Sequence, residues 1–233
     1  MKKNKNILLV EDDPSLADGL TINLEAAGYN IVHIARGTEV MKEFANGIFD
    51  LVLMDIMLPE KDGITLCKEI RATGSTTPVL FISARSETEE RIEAILSGGD
   101  DFIAKPFDVD ELKVRIHGIF RRIAWLNSDN TSPNEFNFDK CHVNFAQYLA
   151  RGPKGEFKLT QKECLVLKYL IEREGKVVSR DQLLDAVWGY DVYPSNRTID
   201  NIILKLRKIF EPDQKHPKYF ETIRGVGYKF SVN

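Results

Sequence analysis

The chain has 233 residues, of which 43% are hydrophobic and 29% charged, with 15 glycines and 9 prolines. This composition excludes a disordered chain, a collagen-like rod and a disulfide-dense miniprotein, and the length predicts one or two domains. Cys67, Cys141 and Cys164 are too scattered for a disulfide framework or a zinc ligand pair, which indicates a reducing compartment. The sequence has no 18-residue apolar run, and the apolar run at 7–10 is too short for a signal-peptide core. We therefore expect a cytoplasmic protein that does not enter a membrane.

The net charge of −3 conceals a difference between the two halves of the chain. Residues 1–124 contain 15 basic and 21 acidic side chains, whereas residues 125–233 contain 17 basic and 14 acidic ones. The basic excess is concentrated in residues 195–233, with 8 basic and 4 acidic side chains. An acidic first half joined to a mildly basic second half suggests two tasks, the second on a polyanion.

Five short apolar runs divide the first 124 residues, and each is followed by a stretch with helical periodicity. The runs lie at 7–10, 31–35, 51–54, 79–82 and 102–104. Runs that are apolar throughout are typical of parallel strands covered on both faces. Strand and helix alternating five times predict a doubly wound, five-stranded parallel α/β sheet. Ligands of such sheets bind at the carboxyl ends of the strands.

Polar side chains follow the predicted strands at those carboxyl ends. Glu11 and Asp12 follow the first strand, and Asp55 ends the third. Carboxylates packed together repel one another unless a cation neutralises them, and Mg²⁺ prefers oxygen ligands. Ser83 follows the fourth strand and Lys105 follows the fifth. A carboxylate, a metal site, a hydroxyl and a lysine around one pocket predict phosphoryl transfer to Asp55.

Simpler interpretations exist for each of these residues taken alone. Asp13 precedes Pro14, which is typical of a helix N-cap with proline at the first helical position, so we exclude it from the metal set. Lys105 alone would be an ordinary solvated lysine, and Ser83 alone an ordinary strand-end hydroxyl. Their occurrence together at the ends of four strands favours a shared site.

The second half of the chain has a different pattern. A polar linker at 125–134 precedes short segments typical of antiparallel strands. Thr160 and Glu163 form a capping-box pattern before an apolar helix, and Ser179 opens a second helix. A third helix at about 195–211 is followed by a terminal hairpin with glycines at its turn. Three helices and this hairpin predict an α+β winged helix-turn-helix domain over residues 135–233.

The third helix of this domain has one apolar and one basic face. Ile199, Ile203 and Leu206 face the core, and the opposite side fits a recognition helix in a DNA major groove. The candidate base contacts are Asn201, Lys205 and Leu204, the last against a thymine methyl group. The candidate phosphate contacts are Arg197, Arg207, Lys208 and, in the hairpin, Arg224. A solvated basic face is the alternative interpretation of this helix.

Several motifs resemble those of a known family. The sequences ILLVEDDP at 7–14, LVLMDIMLPEKDG at 51–63, ISA at 82–84 and KPF at 105–107 resemble a response-regulator receiver domain. The second half, ending in IRGVGYKF at 223–230, resembles the OmpR/PhoB class of transcription factors. The resemblance covers almost the whole chain. It implies a flavodoxin-like receiver domain at 1–124, a linker at 125–134 and a winged helix-turn-helix domain at 135–233.

The resemblance also implies roles for individual residues. Asp55 would be the phosphoacceptor of a sensor histidine kinase, and Ser83 and Lys105 would contact the phosphoryl group. The implied Mg²⁺ ligands are Glu11, Asp12, Asp55 and the backbone carbonyl of Met57. Phe102 takes the aromatic switch position, where tyrosine is more usual, and therefore lacks a hydroxyl. Gly99 stands where the class usually has alanine, so we expect a slightly looser loop.

Phosphorylation is expected to produce a homodimer through the face of the fourth helix, fifth strand and fifth helix. The charged residues assigned to this face are Arg91, Asp100, Asp101, Glu111, Arg115 and Arg122. By resemblance, Arg91 would meet Glu111 and Asp101 would meet Arg115 across a two-fold axis. The alternative is solvated charge, because exposed ion pairs contribute only about 0–1 kcal/mol each. Promoter DNA and, by resemblance, RNA polymerase are the expected partners on the output side.

Three other functions are less consistent with the sequence. A phosphatase with an aspartate nucleophile usually has a second aspartate two residues later, and Met57 occupies that position. A regulator that binds DNA without phosphate is disfavoured by the intact set around Asp55, although Phe102 leaves the output step open. A receiver that acts only through protein partners is disfavoured by the basic third helix. The sequence therefore predicts a transcription regulator controlled by phosphorylation, with no other enzymatic activity than phosphorylation and dephosphorylation of Asp55.

Overall fold

The computed structural model describes residues 4–84, 88–126, 134–188 and 196–232. The chain divides into two compact units, one ending at Ile119 and the other beginning at Phe120. Within the described residues, no helix combines the length and apolar character needed to span a membrane. Each unit is described by itself below.

The first unit contains a five-stranded parallel sheet in the order β2-β1-β3-β4-β5. Its strands are β1 (Asn6–Val10), β2 (Asn30–Ile34), β3 (Leu51–Asp55), β4 (Val79–Ser83) and β5 (Asp101–Ala104). The helices are α1 (Pro14–Ala26), α2 (Gly37–Asn46), α3 (Gly63–Ala72), α4 (Thr88–Leu96) and α5 (Val109–Leu126). The predicted doubly wound, flavodoxin-like fold is confirmed.

Burial explains why the strands could be recognised in the sequence. Every residue of β3 and β4 is buried, and so is every residue of β1 after Asn6. The edge strand β2 is only partly buried, which agrees with its more mixed composition. Because β1 and β3 are parallel neighbours with Val10 opposite Met54, the residues that follow them come out at the same edge of the sheet.

Local capping fixes the start of α1 beside that edge. The carboxylate of Asp13 accepts hydrogen bonds from the amides of Ser15 at 2.8 Å and Leu16 at 3.2 Å. Pro14 is the first helical residue, a position where its missing amide proton costs nothing. The interpretation of Asp13 as an N-cap is confirmed.

The loop before β5 is tightly packed at Gly99. A methyl group at this position would lie 2.6 Å from the ring of Phe81 and 2.8 Å from the carbonyl oxygen of Ala94. Phe81 is fully buried and takes the space that an alanine side chain would need. The sequence suggested a looser loop here; the glycine instead accommodates a large aromatic ring in the core.

Besides the end of α5, the described residues of the second unit form two antiparallel sheets and three helices. The first sheet comprises β6 (Glu135–Phe138), β7 (Cys141–Asn144), β8 (Leu149–Gly152) and β9 (Gly155–Lys158). The helices are α6 (Gln161–Ile171), α7 (Arg180–Trp188) and α8 (Asn196–Phe210). The second sheet has the order β10-β12-β11, with β10 (Val177–Ser179), β11 (Phe220–Ile223) and β12 (Gly227–Phe230). The predicted winged helix-turn-helix is confirmed.

The caps and core of this unit follow the sequence pattern. Thr160 and Glu163 form the predicted reciprocal capping box, and the Ser179 and Gln182 side chains each accept from the other's amide. Phe138 lies at the centre of an aromatic core. The ring centroids of Phe136, Phe210, Tyr219 and Phe230 lie 5.0–5.7 Å from that of Phe138.

The predicted linker at 125–134 falls largely outside the described residues, because 127–133 are not among them. Trp125 and Leu126 are the last residues of α5. The division between the two units, after Ile119, lies before the predicted domain boundary at 124. The last seven residues of α5, 120–126, thus belong to the second unit.

Candidate functional site

Three carboxylates meet at the carboxyl edge of the first sheet. Glu11 and Asp12 follow β1, and Asp55 ends β3; one oxygen of each lies within 4.8 Å of the others. Glu11 and Asp55 are 1% and 4% exposed, whereas Asp12 is exposed. A cluster of carboxylate oxygens at this spacing fits a hard divalent cation, which prefers oxygen ligands.

Lys105 places its ammonium group between the two buried carboxylates. Its Nζ lies 2.5 Å from Asp55 Oδ2 and 2.8–2.9 Å from the two oxygens of Glu11. Burial raises the pKa of Glu11, and the hydrogen bond from Lys105 opposes that effect. Burial alone would lower the pKa of Lys105, but hydrogen bonds to Asp55 and Glu11 raise it above its ordinary value. The lysine is therefore a fixed positive charge beside Asp55.

Ser83 and Met57 complete the surroundings of Asp55. Ser83 is buried at the end of β4, and its carbonyl oxygen accepts from the Lys105 amide at 2.7 Å. The Met57 amide donates to Asp55 Oδ1 at 2.8 Å, which orients the carboxylate. The Met57 side chain is exposed and lines a cleft with Asp12. All the residues predicted for this pocket thus lie at one edge of the sheet.

Two residues of the pocket had no role assigned from the sequence. Gly63 begins α3 so close to β3 that a methyl group there would collide with the carbonyl oxygen of Asp55 and lie 2.9 Å from Met54. His33 on β2 places Nε2 2.8 Å from the carbonyl oxygen of Glu11. Gly63 stood within a quoted motif, but no local pattern shows which backbone a glycine will approach.

Phe102, at the predicted switch position, is 4% exposed and packs in the core of the first unit. The Arg91 guanidinium carbon lies 5.7 Å from the Phe102 ring centroid, within the range of a cation–π contact. The phenyl ring is thus directed inward and is covered by one of the charges assigned to the dimer face.

Several charges assigned to the dimer face have partners within the chain. Asp100 is 2% exposed, and its Oδ2 accepts from the Val79 amide at 2.9 Å and from Arg71 at 3.0 Å. This corrects its assignment, because Asp100 lies inside the unit and holds a loop. Arg115 lies 3.4 Å from the buried carboxylate of Asp101.

The remaining charges of that set differ in their surroundings. Arg115 also forms an ion pair at 2.6 Å with Glu111, which lies on the same helix. The Arg115–Asp101 contact that was predicted between subunits is therefore present within one chain, at 3.4 Å. Arg122 lies in the second unit, where its Nη1 is 3.4 Å from the carbonyl oxygen of Trp188. The sequence assigned Arg122 to the dimer face, whereas this contact lies within the second unit.

Helix α8 has the predicted two faces. Its buried residues include Ile199, Ile203, Leu206 and Phe210. The Leu204 side chain is 51% exposed, as predicted for a residue that could meet a base. The exposed or half-buried polar candidates on α8 are Arg197, Asn201, Lys205, Arg207 and Lys208. Arg224 is exposed beside Gly225 in the turn between β11 and β12.

Two candidate DNA contacts have intramolecular partners. Arg207 donates to the carbonyl oxygen of Phe220 and to Thr222 Oγ1 at 2.7 Å, and so joins α8 to β11. Arg207 therefore holds the hairpin against α8, whereas a phosphate contact was expected from the sequence. Lys205 Nζ lies 2.8 Å from Glu163 of α6, the same residue that closes the capping box.

Two family models match the chain. The response regulator receiver domain matches residues 7–117, and the transcriptional regulatory protein C-terminal domain matches residues 154–230. The first match contains the carboxylate pocket, and the second contains α8 and the terminal hairpin.

Individual relatives match over almost the whole length. The chain is 36% identical to the alkaline phosphatase synthesis transcriptional regulatory protein PhoP of Bacillus subtilis, over 97% of this chain and 96% of that protein. It is 32% identical to the sensory transduction protein RegX3 of Mycolicibacterium smegmatis, over 96% and 98% of the two chains. The crystal structure of DrrB, an OmpR/PhoB homologue from Thermotoga maritima, matches with a TM-score of 0.52 and 26% identity, over 98% of this chain and 100% of that one. The chain therefore belongs to the OmpR/PhoB family of response regulators and is a transcriptional regulator of a two-component system, with a receiver domain followed by a DNA-binding domain.

Proposed function

We propose that this regulator is switched by phosphorylation of Asp55, supplied by a sensor histidine kinase in the cytoplasm. The observation that carries the proposal is the contact of Lys105 with both Asp55 and Glu11 at the carboxyl edge of the sheet. Residues 1–124 would form the receiver domain and residues 135–233 the domain that binds promoter DNA, joined by the linker at 125–134.

In the proposed reaction, a carboxylate oxygen of Asp55 attacks the phosphorus atom of a phosphohistidine. The bond from phosphorus to the histidine nitrogen breaks as the bond to oxygen forms, and the released imidazole takes up a proton. Lys105 and the Ser83 hydroxyl would neutralise and bind the phosphoryl oxygens, which is the main requirement of phosphoryl transfer. Hydrolysis of the resulting acyl phosphate by water would return Asp55 to its starting state.

The carboxylate cluster supports Mg²⁺ as the cofactor of this reaction. Its ligands would be Glu11, Asp12, Asp55 and the backbone carbonyl of Met57. When bound, the ion neutralises charge on the phosphoryl oxygens and on the clustered carboxylates. Lys105 supplies part of this neutralisation, and it would move with the phosphoryl group when Asp55 is modified.

The proposed output is a homodimer that binds promoter DNA and contacts RNA polymerase. A phosphoryl group adds roughly one to two negative charges, which would draw the Ser83 hydroxyl towards the phosphoryl oxygens, where Lys105 already contacts Asp55. The Phe102 ring would then fill the space that Ser83 vacates, and this would change the face formed by α4, β5 and α5. Arg91, Glu111 and Arg115 are the charges of that face that support pairing.

The proposal is tested on full-length protein with acetyl phosphate and Mg²⁺, by intact mass and by sedimentation. We expect one phosphoryl group and a dimer for the wild type, and neither for Asp55→Ala. Removal of Mg²⁺ with EDTA should also prevent phosphorylation. Asp13→Asn is the matched control, because Asp13 lies next to the acidic pair but caps α1, and asparagine also caps helices.

Each outcome separates a different part of the proposal. Equal phosphorylation of wild type and Asp55→Ala contradicts the phosphoacceptor assignment. A phosphorylated wild type that remains monomeric contradicts the dimer step alone. Binding to DNA without any uptake of phosphate supports the regulator that acts independently of phosphorylation.

A further inference from the structure

One carboxylate oxygen joins three elements of the DNA-binding unit. Oδ1 of Asp200, on α8, lies 2.8 Å from Arg180 Nε and 2.5 Å from the Tyr228 hydroxyl. Arg180 is the first residue of α7, and Tyr228 lies on β12 of the terminal hairpin. The candidate recognition helix, the helix before it and the hairpin therefore meet at this oxygen.

The Arg180 and Tyr228 side chains also contact each other. Arg180 Nη2 lies 3.3 Å from the Tyr228 hydroxyl, and the guanidinium carbon lies 4.8 Å from the ring centroid. Burial, together with the hydrogen bond to Asp200, raises the pKa of Tyr228 to about 12. The phenol is therefore protonated at neutral pH and can donate to Asp200 while the guanidinium lies against its ring.

The network borders an open cleft on the DNA-binding unit. The cleft has a volume of about 440 Å³ and is lined by Arg180, Asp181, Asp200, Gly225 and Val226. Arg224 is exposed next to Gly225, and Arg197 is exposed on α8. The Asp200 side chain is 41% exposed, so its negative charge opposes the approach of a polyanion. A carboxylate at this place needs a role that outweighs this repulsion.

We propose that Asp200 is a positioning residue for DNA binding, which holds Arg180 at the cleft and β12 against α8. A duplex could then be engaged by α8, the hairpin turn and the Arg180 guanidinium together. This inference rests on the proposed DNA-binding function and adds Arg180 to its phosphate contacts. From charge alone, removing the negative charge of Asp200 should strengthen the binding of DNA. The proposal predicts the opposite, that its removal weakens the binding.

The test compares two aspartates that line the same cleft. Full-length Asp200→Asn and Asp181→Asn, each treated with acetyl phosphate and Mg²⁺, are titrated with a duplex selected by the phosphorylated wild type. The Kd is measured by fluorescence anisotropy at several salt concentrations. We expect Asp200→Asn to bind roughly tenfold more weakly, because one charge-assisted contact is no longer held in place. Its plot of log K against log salt should be shallower by about 0.9, the value for one lost phosphate contact. Asp181→Asn loses the same charge at an exposed position and should bind DNA as tightly as the wild type or more tightly.

A second variant separates positioning from loss of the fold. Tyr228→Phe keeps the buried ring and removes only the hydroxyl that donates to Asp200, so it should show a smaller loss of affinity. Urea unfolding of each variant shows whether the unit remains folded under the assay conditions. A shallower salt dependence in a folded Asp200→Asn supports positioning, because partial unfolding reduces the active fraction without changing that slope.

Two results would overturn the inference in distinguishable ways. If Asp200→Asn binds as tightly as Asp181→Asn with an unchanged salt dependence, Asp200 is an ordinary surface charge, and the DNA-binding function still stands. If the phosphorylated wild type binds no duplex in the selection, the proposed function itself fails.

Discussion

Lys105 is the residue on which the charge balance of the receiver pocket depends. It contacts two buried carboxylates, and the third carboxylate of the cluster, Asp12, is exposed. Burial raises the pKa of Glu11 above its ordinary value of 4.5. Ionisation of Glu11 therefore lowers the stability of the folded state as the pH rises above 4.5. The Lys105 ammonium, which contacts both Glu11 and Asp55, offsets that cost.

Replacing Lys105 with alanine should therefore destabilise the protein in a pH-dependent way. At pH 7 and without Mg²⁺, we expect a loss of about 2 kcal/mol in the free energy of unfolding, because two buried carboxylates lose their cation. The loss should shrink as the pH falls towards 4.5 and Glu11 becomes protonated. Urea unfolding between pH 4.5 and 7.5 measures this difference.

The control for this experiment is Lys113→Ala, which removes a lysine paired with the exposed Asp110 on α5. Exposed pairs of this kind contribute about 0–1 kcal/mol, so little pH dependence is expected. Equal stability of Lys105→Ala and wild type at pH 7 would show that the carboxylates need no cation in the folded state.

At the scale of elements, α6 carries two buried lysines that bind the ends of other helices. Lys162 Nζ lies 2.8 Å from the carbonyl oxygen of Val187 and 4.5 Å from the ring centroid of Trp188, at the end of α7. Lys168 Nζ lies 3.0 Å from the carbonyl oxygen of Trp125 and 5.4 Å from its ring centroid, at the end of α5. Both ammonium groups lie where the negative end of a helix dipole favours a cation.

Lys168→Met tests whether this contact fixes the end of α5 against α6. Methionine fills the same space without a donor, so the carbonyl oxygens of Trp125 and Leu126 lose a charge-assisted hydrogen bond. We expect a loss of about 1–3 kcal/mol in stability and faster amide hydrogen exchange in residues 120–126. Lys154→Met, in the exposed turn between β8 and β9, is the matched control. Unchanged hydrogen exchange in residues 120–126 would mean that apolar packing alone holds the end of α5.

Helix α6 also shows which contacts could not be predicted from the sequence. The strands, the caps at Asp13 and Thr160 and the pocket around Asp55 could be predicted, because periodicity and parallel topology place those residues. Lys168 stands within an apolar helix, and nothing local indicates that its partner is a backbone carbonyl 43 residues earlier. The contact of Arg207 with Phe220 was missed for the same reason, since both depend on how distant elements pack.

For the whole molecule, the difference in charge between the two halves of the chain matches the different functions of the two domains. The acidic first half holds the carboxylate pocket, and the basic excess of the second half lies in residues 195–233, which contain α8 and the hairpin. A dimer would present two DNA-binding units to one duplex and so raise the effective concentration of the second contact. Weak pairs at the dimer face would then be sufficient, because DNA binding adds to the stability of the assembly.

A charge swap at the proposed dimer face tests this view of the assembly. In a two-fold interface each pair occurs twice, so reversing one charge of the proposed pair, Arg91 with Glu111, creates two repulsive contacts. We expect Arg91→Glu and Glu111→Arg each to lower dimerisation of the phosphorylated protein severalfold, and the double variant to restore it. Sedimentation velocity of each protein after treatment with acetyl phosphate measures the dimer fraction.

Lys113→Glu reverses a charge on the same helix outside the predicted pairs and is the control for altered net charge. Glu111→Arg also removes the partner of Arg115 within the chain, so its intact mass must show that it still accepts a phosphoryl group. If the double variant stays as monomeric as the single ones, Arg91 and Glu111 do not face each other. Recovery of the dimer only in the double variant would place both residues at the two-fold interface, because compensation of this kind requires the two charges to be close.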